Sequence, residues 1–424
     1  MKAETLNTKM KILYALLFYG IATRASLTCC GHDQNHVSIT IQQMLKNGLL
    51  AEREIKLRSK SRAQVKRYLT ITPAGFTHFV ERSGLEVFEL TPYDEFRFSV
   101  RGNMSNEHIA RILATNDAAI PLKQCGCQTE LDRLLKRGRD ELNGLPAIVH
   151  DILSEYQEYG LQPDLLDELS IEEAPKFFSS LELLPMLKLD KNSASQYAFS
   201  SHVGALATSM ESFMVYRSGV RGMSWKANGA RRYAVAAGVA LRSTNGINHP
   251  GGIRSAIIFC KNPREFYNVY RDPYHLRKKE GGYADRFGQP YTHLFAVLVQ
   301  RDSLLVLLAL IRLGVDADAL IAEPLVGAGL ERNEGMLHED YPYAKSGRPV
   351  FLGVTMDMHK IRRFEAQMKR YGGDFGIVCY DWQAEYYGRI FPGVPCYGLD
   401  GRHDMEREGL KKSRATGLLH GSSN

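Results

Sequence analysis

"KLRSKSRAQVKRYLTITPAG", residues Lys56 to Gly75, decides how the first part of this chain is read. Its first twelve residues carry six cations, Lys56, Arg58, Lys60, Arg62, Lys66 and Arg67, and no acid. "YLTIT" alternates apolar and polar side chains, and so does "AEREIKLR" before the basic loop. Two alternating runs joined by a short polar loop form a β-hairpin. Pro73 then opens a helix over "PAGFTHFVERSG", where its missing N–H is no loss, and Gly84 closes it. Such a hairpin is either a solvated loop or a finger that holds an anion. Its neighbours decide between the two.

Upstream, Ile12, Leu13, Leu16 and Leu17 fall at helical spacing within Lys9 to Tyr19, and Gly20 ends that helix. "TRASLTCC" reads as a short second helix closed by Gly31. In "NHVSITIQQMLKNGLL", Val37, Ile41, Met44, Leu45 and Leu49 share one face. Ser38, Thr40, Gln42, Gln43 and Lys46 fall largely on the other, and Gly48 stops the helix. The order helix, helix, helix, strand, basic loop, strand, helix over residues 1–90 resembles a winged helix-turn-helix domain, as do the "QMLKNGLL" exit and the "YLTITPAGFTHF" run. The resemblance implies that the third helix enters a major groove. Gln pairs bidentately with adenine there, and Ser and Thr are less selective. The wing cations would meet phosphates. Winged helices also mediate protein contacts, but the element order together with six unopposed cations favours DNA.

A length of 424 residues allows two or three domains, and 44% hydrophobic and 24% charged residues are ordinary for a globular chain. A net charge of +7 permits nucleic-acid binding without establishing it. Seven thinly spread cysteines do not form a disulfide framework, and Cys125 and Cys127 lack a second pair at zinc-ligand spacing. The apolar runs Ile12 to Ile21 and Ser303 to Ile311 are too short to span a bilayer. These features predict a cytoplasmic protein with no membrane partner, no metal site and no cofactor.

Residues 91–195 read as a helical segment, beginning with "SNEHIARILATNDAAI", and an acidic connector. Residues 151–190 hold ten acids against Lys176 and Lys188. From Arg217 to Arg254 there is no acid at all. Arg221, Lys226, Arg231 and Arg232, with Tyr216, Trp225 and Tyr233 among them, suit a second contact to a phosphate backbone, or a surface that docks on the acidic connector. Residues 196–398 read as an α/β domain: "YAVAAGVAL", "RSAIIFC", "THLFAVLVQ" and "PVFLGVTM" are strand-like or mixed, "RDSLLVLLALIRLG" and "MHKIRRFEAQMKRYG" are helical, and "FGIVCYDWQAEYYGRIF" is a buried strand running into a helix. Residues 399–424 read as a loose tail. The fold class is therefore α+β, and no internal repeat is legible.

A restriction-type nuclease needs an acid followed by acid-x-Lys, whose carboxylates hold magnesium. Here Glu339 and Asp340 precede Asp357 and Lys360, but the spacing is Asp-x-x-Lys and Gly353 stands where an in-strand acid is wanted; Glu365 and Asp381 are other candidates. The competing reading of Asp357 is a helix cap, with Lys360 exposed. No His-x-His pair and no phosphate-loop Lys-Ser/Thr is present. The whole layout resembles the replication-relaxation family of plasmids and integrative conjugative elements, through "YLTITPAG", "SNEHIARILATNDAAI", "RSAIIFCKNPREFYNVYR" and "KRYGGDFGIVCYDWQ". The resemblance implies a restriction-endonuclease-like C-terminal domain, often without catalytic residues, and DNA binding for replication, relaxation or transfer. Double-stranded DNA is the implied partner, with a homodimer and other mobile-element proteins as further candidates. A magnesium-dependent endonuclease or nickase and a ligand-responsive transcriptional regulator are the alternatives.

Overall fold

Thr72 shows why the opening stretch folds as it does. The computed structural model describes residues 8–31, 34–57, 64–83, 105–129, 174–180, 182–183, 202–218, 227–271, 291–300, 302–327, 329–335 and 339–399. The Thr72 hydroxyl donates to the Gly48 carbonyl at 2.6 Å and accepts from the Gly75 amide at 3.1 Å, so it caps the helix that follows. A Cβ on Gly75 would lie 2.1 Å from the Leu49 carbonyl oxygen. Only glycine lets that helix come so close to the strand entrance.

The N-terminal module runs α1 (Thr8–Tyr19), a 3-10 turn (Ser26–Cys30), α2 (Gln34–Lys46), β1 (Leu50–Leu57), β2 (Gln64–Ile71) and α3 (Pro73–Ser83). The second helix expected over "TRASLTCC" is thus a single 3-10 turn. Strands β1 and β2 pair antiparallel from Leu50↔Ile71 to Leu57↔Gln64. Ala22 bridges Leu69 from the outside. Ile12, Leu13, Leu16, Val37, Ile41, Met44, Leu69 and Phe79 fill its core.

Among the described residues beyond this module, the strands form two five-stranded sheets. The first has β3 (Lys176–Ser179), β4 (His202–Ala207), β5 (Ser212–Arg217), β6 (Ser255–Cys260) and β7 (His293–Leu298) in that spatial order. The second has β8 (Glu331–Arg332), β9 (Tyr343–Lys345), β10 (Arg348–Leu352), β11 (Gly376–Tyr380) and β12 (Cys396–Leu399), again in linear order. In each, the first three strands pair antiparallel and the last three pair parallel. The parallel links are helices, as parallel pairing requires: α5 (Ala227–Asn245) and α6 (Pro263–Arg271) in the first, α9 (Met358–Tyr371) and α10 (Ala384–Ile390) in the second. One topology is therefore used twice, a repeat with no counterpart legible in the residues.

Alternate strand residues serve two cores. Phe213, Val215, Ile257, Phe259, Val297 and Val350 face α4 (Asn106–Gln124), α7 (Leu304–Leu313) and α8 (Ala317–Ala322). Met214, Tyr216, Ile258, Cys260, Leu298 and Phe351 face α5, α6, α9 and α10. The two sheets meet where Phe295 bridges Asp357 and the Ala296 amide donates to the Met356 carbonyl at 3.2 Å. The architecture is mixed α+β, as expected at that level.

Two expectations change here. "YAVAAGVAL" lies in helix α5, because Tyr233, Ala234, Ala237 and Leu241 form one buried face at helical spacing. The boundary expected at 196 falls inside the first sheet, since Lys176 to Ser179 pair with β4. Among the described residues no helix is long and apolar enough to cross a membrane. The apolar run from Ser303 is the buried helix α7.

Candidate nucleic-acid interface

Helix α2 buries Val37, Thr40, Ile41 and Met44 against α1 and the hairpin. Its outer stripe is Asn35, Ile39, Gln42, Gln43 and Lys46, all exposed, and the helix contains no acid. Thr40 was expected on this face and is not there. Its hydroxyl donates to the His36 carbonyl at 2.8 Å, so the side chain is buried with its polar atom satisfied. Ser38 is half-buried and donates to the Gln34 carbonyl at 2.8 Å. Gln42, Gln43 and Lys46 stand where the sequence puts them. Ile39, 54% exposed, shares that face, and polarity alone does not mark it, because one apolar residue barely perturbs an otherwise amphipathic helix.

The hairpin divides its cations. Arg67 is exposed. Arg58, Lys60 and Arg62 lie outside the described residues. Lys66 was expected among the phosphate contacts, but its side chain is partly buried, near Asp117, Arg217, Lys261 and Glu265. Burial, helped by Arg217 and Lys261, holds its ammonium below the usual lysine value against the pull of Asp117 and Glu265. Lys66 therefore belongs to the seam behind the hairpin, not to its outer surface.

That seam is built on α4. Asn116 donates to the carbonyls of Tyr19 (3.1 Å) and Ile21 (2.6 Å), and Asn106 donates to the Lys56 carbonyl at 3.0 Å. Asp117 joins the two parts of the molecule. One carboxylate oxygen accepts from the Thr23 hydroxyl at 2.7 Å, and the other accepts from Arg217 Nε at 2.8 Å. Arg217, at the end of β5, also donates from Nη1 to Glu265 at 2.6 Å and to the Ser218 carbonyl at 2.6 Å. Its flanking carboxylates keep the guanidinium charged despite burial. Nothing local in the sequence pairs these residues.

Of the second basic patch, Arg231 and Arg232 are exposed on α5, beside the exposed Val235 and Val239. Arg221 and Lys226 lie outside the described residues. Arg217 is not part of a surface patch, since it is buried in the Asp117–Glu265 pair.

The nuclease candidates Asp357 and Lys360 do not converge on one open site. Asp357 caps α9, accepting from the His359 amide at 2.9 Å, and its second oxygen lies 3.0 Å from His293 Nδ1. Burial alone would raise its carboxyl. The His293 contact, the Lys360 charge and the His359 amide outweigh that and hold it below the usual aspartate value. Lys360 is half-buried and pairs instead with Asp318 at 2.9 Å, which also accepts from the Thr355 amide and hydroxyl. Glu365 binds Lys369 and Tyr270 on the outside of α9, and Asp381 is exposed after β11. Among the described residues no group of three His, Cys, Asp or Glu could hold a metal ion. In comparisons with known proteins, no family model, no curated protein and no solved structure matches this chain.

Proposed function

We propose that this chain is a sequence-specific, double-stranded DNA-binding protein whose first ninety residues act as a winged helix-turn-helix. Helix α2 reads bases, and the hairpin cations hold the phosphate backbone. The observation that carries the reading is the outer stripe of α2. It offers three amides, Asn35, Gln42 and Gln43, and the Lys46 ammonium, with no carboxylate in the helix to repel phosphate. Exposed Arg67 and the cations of the loop before it follow that helix on the next hairpin of the chain and supply the backbone contacts. Arg231 and Arg232 on α5 offer a second backbone contact.

The place in biology follows from the family resemblance: replication, relaxation or transfer of a mobile genetic element. Under this reading the two mixed sheets form a restriction-endonuclease-like body without an assembled acid and acid-x-Lys set. The endonuclease alternative gains no support from Asp357 and Lys360, which are engaged with His293 and Asp318. No observation favours the ligand-responsive regulator.

The test is enrichment of binding sequences from a library of short duplexes with a randomised core. Wild-type protein is expected to enrich one motif. Gln42→Ala with Gln43→Ala is expected to bind DNA with the same salt dependence but to lose preference at the bases those amides read, by about 1–3 kcal/mol per base pair. Enrichment of the same motif by the double variant would remove α2 as the reader.

A further inference from the structure

We infer that Ile39 contacts the 5-methyl group of a thymine, so that the DNA target carries a T·A pair opposite the middle of α2. The inference rests on the DNA-binding reading above and adds the identity of a base. Ile39 is 54% exposed at the centre of the stripe Asn35, Ile39, Gln42, Gln43 and Lys46. Neither the fold nor the helix asks for it there. The side chain is not among the residues that fill the module core, and a β-branched residue is a weaker helix former than the Ala, Gln or Lys an exposed position accepts freely.

Two kinds of surface use an exposed apolar side chain on a helix. A protein-docking helix presents several of them, at i, i+3 or i+4, and i+7. Around Ile39 those positions hold Asn35, His36, Gln42, Gln43 and Lys46, all exposed and polar, so no apolar ridge forms. A major groove offers one apolar group on its base edges, the thymine 5-methyl, set among acceptors and donors that amides match. A single isoleucine ringed by amides fits the second pattern. The amides beside it are the side chains that pair bidentately with adenine, so an A·T-rich core is the matching target.

The experiment uses the full-length protein and the duplex most enriched from the randomised library. Each thymine of that duplex is replaced in turn by deoxyuridine, which removes the methyl group alone. At one position the wild-type protein should bind about fourfold more weakly, the effect of one methyl leaving an apolar contact. Ile39→Ala, whose single methyl stops short of where the isoleucine branch reaches, should bind the thymine and deoxyuridine duplexes equally and melt no lower than wild type, since alanine is the better helix former. If the wild-type protein keeps its motif but is indifferent to every thymine methyl, the inference is overturned and the DNA reading stands. If no duplex is enriched, both fall. If Ile39→Ala retains the thymine preference, or changes self-association in light scattering instead, Ile39 belongs to another contact.

Discussion

Replacing Arg217 with alanine is expected to destabilise the folded chain by about 3–5 kcal/mol, the usual penalty for removing one partner of a buried ion pair. The guanidinium is 4% exposed, and it neutralises Asp117 and Glu265, whose side chains are 7% and 19% exposed. Without it the Asp117 and Glu265 carboxylates lose the guanidinium that bridges them and keep only the half-buried Lys66 ammonium nearby. The effect should reach beyond the first sheet. Asp117 also accepts from Thr23, so releasing it loosens the grip of α4 on the N-terminal module. Urea denaturation checks this through the midpoint, with the slope m reporting any separation of the two parts. Arg217→Met, which keeps the stem, should be nearly as damaging, because the loss is charge rather than packing. A midpoint within error of wild type would show that the triad does not hold the seam.

Acid should destabilise the protein through His202 well before the carboxylates titrate. His202 is fully buried at the start of β4, against the rings of Tyr216 (5.5 Å) and Tyr233 (6.2 Å). Burial, then the neighbouring Arg111 charge, lowers its pKa to about 3, with the Gly204 backbone opposing weakly. The unfolded chain takes up this proton at about pH 6.5. Between those values the unfolded state binds the extra proton, so stability falls as pH falls, by about 1.4 kcal/mol per pH unit. By about pH 4 the His202 contribution lost amounts to about 3 kcal/mol. His202→Phe keeps a ring and removes the titration. Its stability should be flatter than wild type over this range, and parallel curves would locate the acid sensitivity elsewhere.

Much of the N-terminal module is legible in its residues because its signals are local. Val37, Ile41 and Met44 repeat at helical spacing, β1 and β2 alternate, and Pro73 marks a helix start; the Thr72 cap and the close approach at Gly75 show only in the fold. Thr40 defeats such a reading because a threonine can turn its hydroxyl onto its own helix and bury its methyl, so polarity misplaces it. The segment "YAVAAGVAL" is ambiguous for a different reason. Small alternating residues satisfy both periods over nine positions, and only the partners of Tyr233, Ala237 and Leu241 decide for the helix.

The seam was invisible because its members are far apart in the chain. Asp117 and Arg217 are 100 residues apart, and Arg217 and Glu265 are 48 apart. A separation of 42 residues likewise hides Asp318, which takes the Lys360 side chain that spacing alone offered to Asp357. The repeated sheet topology was hidden too. Strands β8 and β9 are only two and three residues long, too short to carry a pattern.

The division of labour within the N-terminal module is the central claim, and the salt dependence of DNA binding tests it most directly. The logarithm of the affinity of full-length protein for one duplex should fall linearly with the logarithm of salt concentration. Changing Lys60, Arg62 and Arg67 together to alanine should make that slope shallower by about two to three, nearly one for each phosphate contact removed, with the enriched motif unchanged. An unchanged slope in the triple variant, or a wild-type affinity indifferent to salt, would contradict the assignment of these cations to the phosphate backbone.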